Sequence, residues 1–377
     1  MVYSNLDEKG RAYYGCLATQ HGLGYAGITQ LLRVFGSPSE IYGASPEKWK
    51  AVYPRITDEC VQSLSRGPDP IVWERILEKC RALGVKIAAP GSPEYPGPLL
   101  SLALPPPLLF IQGGWREEDS RSSAMVGTRS PSDYGRKVAF NWAQELAHKN
   151  VTVVSGLAVG IDAEAHAGAL EGEGRTVAVI GCGHAVDYPQ ANRELKKRIS
   201  DHGAVISEFP PEEAPKPNHF PRRNRILSGL AQVTVVIEAG VRSGALLTAA
   251  HARTQGRIVM AVPGSIFSPV SLGTHGLIRR GAFPAVSVSD ILEKLGSKPG
   301  ARQSLKAAEA ADPVLALWEG ERASPLDHLV QRAKSLGFWP PEKAVSALME
   351  SLLRLEIQGM IQRLPGPVYR RITICAG

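Results

Sequence analysis

The sequence excludes several classes of protein by what it lacks. No run of eighteen apolar residues occurs in its 377 residues, so no membrane-spanning helix is expected. The opening stretch, MVYSNLDEKGR, has no apolar core of the kind a secretory signal carries. The five cysteines (Cys16, Cys60, Cys80, Cys182 and Cys375) are scattered, with no Cys-x-x-Cys pair. That argues against a disulfide framework and a zinc site, and fits a reducing cytoplasm. A nicotinamide site would need Gly-x-Gly-x-x-Gly with an acid about twenty residues on. Gly156 and Gly160 have the wrong spacing, and Gly181-Cys182-Gly183 lacks the third glycine. No cofactor is therefore expected. There is no internal repeat and no low-complexity tract.

Acid is missing from one region in particular. Between Ala214 and Ser289 the single acid is Glu238, against nine cations: Lys216, Arg222, Arg223, Arg225, Arg242, Arg253, Arg257, Arg279 and Arg280. Nine less one gives +8 there, against +7 for the whole chain, so the remainder is close to neutral. Basicity confined to one stretch favours a polyanionic partner through counterion release.

What is present is ordinary for a globular protein of two or three domains: 44% apolar and 21% charged residues. Residues 1–66 read as helices, with turns at Gly22-Leu23-Gly24 and Gly36-Ser37-Pro38. The first turn, ahead of Ile28, Leu31 and Leu32, has the look of a helix-hairpin-helix. It can hold a DNA phosphate on backbone amides, contact a protein, or be purely structural. A linker at 67–70 precedes a helix at 71–83 and a strand at 85–89. The proline-rich stretch 93–107 reads as an irregular loop.

From residue 124 short β-branched runs alternate with helical ones. Strands are expected at 124–126, 151–154, 177–180, 204–206, 233–237 and 258–261. Helices are expected at 134–148, 161–170, 192–200, 223–230 and 245–255. Such βαβ alternation predicts an extended Rossmann-like α/β domain over 71–296, a doubly wound, mostly parallel sheet covered on both faces. After a linker at 296–303, helices at 313–318, 326–335 and 342–355 and a terminal hairpin suggest a winged-helix domain over 304–377.

Several loops fall at the carboxyl ends of the predicted strands, where an open parallel sheet binds its ligand. Gly127-Thr128-Arg129 ends one strand. Ser155 to Asp162 ends another, with Ser155, Gly156 and Gly160 placed to offer backbone N–H groups to an anion. Gly181-Cys182-Gly183 ends a third, and Asp187-Tyr188-Pro189 with Asn192 makes a turn beside the crevice. Asn218 to Ile226 interleaves His219 and Phe220 with Arg222, Arg223, Asn224 and Arg225. Flat rings stack on unpaired bases, and the cations and amide reach phosphates and base edges. Arg242, Ser243 and Gly244 open a helix and can hold a phosphate. Glu238 can act as a general base, pair with an arginine or cap a helix. Asp162 and His166 share a helix face and offer a catalytic or metal-ligand pair, but no second carboxylate or histidine stands at ligand spacing, so structural hydrogen bonds are expected of them.

Together these blocks resemble one family, the DNA-processing proteins called DprA or Smf. The blocks are Val126-Gly127-Thr128-Arg129, SGLAVGIDAEAHAGAL from Ser155, Gly181-Cys182-Gly183 with Asp187-Tyr188-Pro189 and Asn192, Ser207-Glu208, FPRRNRILSGL from Phe220, Glu238-Ala239 with SGALLTAAHA from Ser243, Ala261 to Gly264, and Gly273 to Ile278 with Gly281-Ala282. They stand in family order over about 124–290. The flanking regions also match a three-domain form with an N-terminal helical domain, sterile-alpha-motif (SAM)-like or helix-hairpin-helix-like, and a C-terminal winged helix.

The resemblance implies a non-enzymatic protein that binds and protects incoming single-stranded DNA, forms a homodimer and loads RecA recombinase onto the strand during natural transformation and recombination. Single-stranded DNA-binding protein is a further implied partner. The family's pocket arginine falls on Arg129 and its phenylalanine on Phe220. Its pocket lysine falls near Pro217, with Lys216 one residue away. Its dimer surface points to His275, Leu277 and Ile278. A second reading on the same fold is a nucleotide-processing enzyme of the phosphoribohydrolase kind. Pro263-Gly264-Ser265 does not match the Pro-Gly-Gly-x-Gly-Thr block of those enzymes. A third is a duplex-DNA regulator acting through the winged helix, whose segment is not notably basic.

Overall fold

The computed structural model describes residues 6–20, 22–296, 314, 317–318, 323–336, 339–340, 344–357, 361–364 and 366–371. The chain divides into two compact units, Met1–Ser297 and Lys298–Gly377.

The first unit begins with α1 (Glu8–Ala18), α2 (Gly24–Phe35), α3 (Pro38–Tyr42), α4 (Pro46–Val52), α5 (Asp58–Ser65) and α6 (Pro70–Leu83). Local chemistry sets where they start. Ser37, Thr57 and Asp69 accept backbone N–H bonds at the heads of α3, α5 and α6, and proline stands at the first position of α3, α4 and α6. Leu17, Leu31, Ile41, Trp49 and Leu64 form one small core. A second, with Tyr14, Trp73, Cys80 and Phe110, joins these helices to the sheet. The Tyr14 hydroxyl fixes that join by donating to the Pro107 carbonyl at 2.9 Å.

The sheet has nine strands: β1 (Val85–Ala88), β2 (Leu109–Gly113), β3 (Ser122–Val126), β4 (Thr152–Ser155), β5 (Thr176–Ile180), β6 (Ala204–Ser207), β7 (Val233–Val236), β8 (Ile258–Ala261) and β9 (Phe283–Pro284). Their order is β1-β2-β6-β5-β4-β3-β7-β8-β9. The pairs β1–β2 and β2–β6 are antiparallel and the rest parallel. Successive strands step outward from β3 to β6 through α7 (Asp133–His148), α8 (Ile161–Glu171) and α9 (Arg193–His202). The chain then returns through α10 (His219–Leu230) to place β7 on the other side of β3. α11 (Gly244–Thr254), α12 (Leu272–Arg279) and α13 (Val288–Lys294) complete the unit.

Strand alternation sorts the helices between the two faces. Ala124, Val126, Val154 and Val236 pack with Ile226, Leu227, Ala245 and Ala249 of α10 and α11. Their neighbours Met125, Val153 and Val235 pack with Ala139, Ala143, Ile161 and Ala165 of α7 and α8. Both faces are buried, which is why these strands read as continuous apolar runs. The strand order reverses between β3 and β7. At such a switch point the loops leaving two neighbouring strands diverge to opposite faces and leave a crevice.

Some elements depart from expectation. No strand is predicted between the proline-rich loop and residue 124, yet β2 lies there. It is antiparallel and outside the βαβ rhythm that betrays the others. The proline-rich loop itself holds a short 3-10 helix, Gly97–Ser101. α12, α13 and β9 carry too few apolar residues to stand out in sequence. α10 starts at His219, four residues before the expected 223, because Pro221 sits in its first turn, where a missing N–H costs nothing.

In the second unit the described elements are β10 (Ala323–Pro325), α14 (Leu326–Ser335), α15 (Ala344–Ile357), β11 (Ile361–Leu364) and β12 (Val368–Arg371). The strands form an antiparallel sheet in the order β10-β12-β11. Leu329, Leu348, Leu352, Ile361 and Tyr369 lie in its core. All but Gly296 of the linker expected at 296–303 and most of the helix expected at 313–318 lie outside the described residues.

Candidate nucleic-acid interface

A cleft of about 610 Å³ opens at the switch point. The β3 loop contributes Gly127, Thr128 and Arg129; α10 contributes Phe220, Arg223 and Asn224; the β7 loop contributes Arg242, Ser243 and Gly244. All nine are among the sequence-predicted site residues. Segments about ninety residues apart in the chain meet here because β3 and β7 are neighbours. The Thr128 N–H donates to the Glu238 carbonyl at 2.7 Å, which ties the two loops together.

Glu238 organises the rim without facing the cleft as an acid. Its Oε2 accepts from the Ser132 N–H at 2.9 Å and its Oε1 from the Ser132 hydroxyl at 2.5 Å. Ser132 in turn caps α7 by accepting from the Gly135 N–H. The arginine pairing offered as one option for Glu238 is thus replaced by a clamp on a helix start.

The cleft carries a stack. The Arg129 guanidinium lies 5.6 Å from the centre of the Phe220 ring, and the Tyr188 ring is tilted against Phe220 with centroids 5.4 Å apart. Arg129 is exposed and Phe220 only partly buried. Gly181 makes room for the ring: a Cβ there would stand 3.0 Å from Phe220 Cδ1. A cation–π pair of this kind orients the arginine while leaving its N–H groups outward. Across the cleft, α11 presents its N-terminus, capped by Ser243, whose hydroxyl accepts from the Ala245 N–H at 3.3 Å. Nothing stands within 4 Å of the Cβ position at Gly244, so that helix start is open, and exposed Arg242 stands beside it. A helix N-terminus next to an arginine is suited to a phosphate.

Other predicted residues serve the frame instead. The Ser155 hydroxyl is fully buried and donates to the Met125 carbonyl at 2.6 Å. The N–H groups of Gly156 and Ala158 donate to Asp162 Oδ2, so the loop expected to cradle an external anion is filled by the chain's own carboxylate. Arg223 Nη1 donates to the Gly156 carbonyl at 2.7 Å and faces that same carboxylate. Burial pushes the Asp162 carboxyl up and the Arg223 guanidinium down to about 10, each partly offset by the other's charge. Gly160, at φ +86°, is needed because a Cβ would meet the Thr128 carbonyl oxygen at 2.6 Å. His166 is held by Thr176 at 2.6 Å, as a structural histidine would be, and burial pushes its pKa down to about 3.

The arginine-rich segment divides the same way. Arg222 Nε donates to Glu208 at 2.9 Å, and Arg225 makes a short bond to the other Glu208 oxygen and one to the Leu104 carbonyl at 3.1 Å. Lys216 pairs with Glu213 at 2.6 Å but stays half-exposed. His219, expected to offer a ring to a base, is buried and stacked on Phe209 at 4.0 Å. Glu208 and Glu213 lie just before the acid-poor stretch and Asp162 far upstream of it, so four of its nine cations are matched from elsewhere.

Leu277, expected at a dimer surface, is 5% exposed and belongs to the main core. Ile278 is partly buried against the same core, and His275 bonds the Gly264 carbonyl at 3.1 Å. Tyr188 is the residue whose part at the site sequence reading missed. It was placed in a turn beside the crevice, but its contact with Phe220 joins residues 32 apart in sequence.

Four similarities bear on this arrangement. The family model described as DNA recombination-mediator protein A matches residues 86–296. DNA processing protein DprA of Bacillus subtilis is 40% identical over 222 residues, 59% of this chain and 75% of its own length. The X-ray structure of DNA processing protein A from Streptococcus pneumoniae aligns at TM-score 0.66 and 32% identity over 76% of this chain and 99% of its own. That of Helicobacter pylori, described by its unique single-stranded DNA binding mode, aligns at TM-score 0.51 and 26% identity over 56% of this chain and 95% of its own. The matched span contains the sheet and every wall of the cleft, and on it the chain belongs to the DNA recombination-mediator protein A family, the DprA/Smf family.

Proposed function

We propose that this protein binds single-stranded DNA in the switch-point cleft and acts as a recombination mediator, holding the strand for RecA recombinase in natural transformation. The observation that carries the reading is the Arg129–Phe220–Tyr188 stack facing an open helix start beside Arg242. An unpaired strand offers ring faces and phosphates together, and this surface matches both, whereas a duplex hides its rings. Gly127, Thr128, Asn224, Ser243 and Gly244 supply backbone and polar contacts around it. The test is oligonucleotide binding followed by fluorescence anisotropy over a salt series. Arg129→Ala with Phe220→Ala is expected to abolish tight binding, and unchanged affinity would place the strand elsewhere.

We read the site as non-catalytic. Glu238 is committed to Ser132, Asp162 to two backbone amides, and His166 to Thr176, so each group a hydrolase would need already serves the frame. We further infer a homodimer through α12, using the parts of His275 and Ile278 that remain exposed but not Leu277. Light scattering tests it. We assign the second unit to the winged-helix class on its helix pair and three-stranded antiparallel sheet. Comparing the full chain with one ending at Ser297, on single- and double-stranded DNA, shows whether that unit contributes to binding. RecA filament growth on coated DNA, with and without single-stranded DNA-binding protein, tests the loading step.

A further inference from the structure

The most exposed large apolar side chain of the described residues is Phe267, at 90%, and its neighbour Ile266 is at 74%. They occupy the tip of a turn. The Ser268 N–H donates to the Ser265 carbonyl at 3.0 Å, and the Phe267 N–H donates to the Ser265 hydroxyl at 3.3 Å. The base of the turn is fixed on both sides. His275 holds Gly264, and the Ser271 N–H donates to the Ser268 carbonyl at 3.0 Å. Turn tips are ordinarily given to glycine, asparagine, aspartate or serine. Two bulky apolar residues on a braced tip contribute nothing to the core and expose a ring to water.

The position of the tip is specific. Pro269, Val270 and Leu272, the next residues along, line the far wall of the cleft. Two residues of chain span at most about 7 Å, so Phe267 stands within that reach of the wall. Between Ala239 and Ser289 there is no acid, while Arg242 stands exposed on the same wall. A cationic rim bearing an isolated outward ring is complementary to an extended polyanion with stackable bases.

We propose that Phe267 is a second base-stacking platform, met by a single strand after it leaves the Phe220 end of the cleft, with Ile266 shielding one edge of the stacked base. This rests on the single-stranded DNA reading above and fixes the direction in which the strand crosses the β8 side of the sheet. A longer strand then gains a contact that a short one, filling only the cleft, cannot reach.

The test compares oligothymidylates of about four and about sixteen nucleotides, the range of strand lengths single binding modules cover. Phe267→Ala is expected to weaken the longer one about 5- to 150-fold, as loss of one stacked base does, and to leave the shorter one unchanged. Phe267→Trp is expected to restore binding and Phe267→Leu not to, because stacking needs a ring. The platform is overturned if Phe267→Ala binds both lengths like the parent protein, or if leucine substitutes fully. It is equally overturned if Phe267→Ala leaves DNA affinity intact but lowers the mass seen by light scattering, which would make the tip a protein contact. If the parent protein binds neither length, the single-stranded DNA reading itself fails. The position is nearly fully exposed, so these variants are expected to fold.

Discussion

Two groups of arginines sit at the same edge of the sheet and do different work. Arg222, Arg223 and Arg225 cluster within four positions on α10, yet each is drawn inward to Glu208, to Asp162 or to a backbone carbonyl. Arg129 and Arg242 are isolated in sequence, more than a hundred residues apart, and both stay exposed on the walls of one cleft. The dense cluster is mostly tied into the scaffold, and the scattered pair is what the fold leaves exposed on the cleft. Density of charge along a chain measures how many cations must be accommodated. Their availability depends on which acids the fold brings beside them.

This contrast can be broken most sharply through stability. Arg225→Ala leaves Glu208 buried without one of its partners, and removing one member of a buried pair costs about 3–5 kcal/mol. The expected outcome is a large drop in the urea midpoint, whereas Arg129→Ala should leave that midpoint unchanged. Binding should order the same residues in reverse. Phe220→Ala removes a stacking surface worth about 1–3 kcal/mol per base and should weaken oligonucleotide binding by roughly tenfold or more without unfolding the chain. Arg242→Ala should weaken binding a few-fold and lower the slope of log affinity against log salt by about one, the signature of one lost phosphate contact.

The scaffold also predicts a pH response. His166 and His184 are buried, and desolvation pushes their pKa values down to about 3 and about 4. The unfolded chain therefore takes up protons that the folded one refuses. Their contribution is fully present above about pH 6.5 and is lost as pH falls from there toward the folded values. Denaturation midpoints at pH 7 and pH 5 should differ in that direction, and His166→Asn should shrink the difference. The smallest effect belongs to Lys216→Ala. Lys216 is half-exposed and already paired with Glu213, so affinity and stability should each change by less than about 0.5 kcal/mol.

Much of the sheet was legible because both of its faces are covered. Strands buried on two sides appear as short β-branched runs between helices, and β3 to β8 stood out for that reason. β2 and β9 did not, being an antiparallel strand and a two-residue edge pair. Arg129 and Phe220, picked out from their motifs, both line the cleft. Ser155, Gly156 and His219 were misplaced because a hydroxyl, an amide or a ring in sequence does not say whether a partner already occupies it. Here Met125, Asp162 and Phe209 do.

The sequence by itself determined the βαβ alternation, the confinement of net positive charge to one stretch and the order of the family's motifs. Each is a property of neighbours along the chain, where propensity and periodicity act. Only the tertiary structure decided which cations face solvent, that Asp162 fills the glycine loop, and that Arg129, Tyr188 and Phe220 form one stack. Those outcomes depend on β3 lying beside β7 and on acids from outside the basic stretch folding back against it. Desolvation makes such pairings decisive: a buried arginine must find its carboxylate wherever the chain carries one, and what is left unpaired at the edge becomes the surface available to a strand.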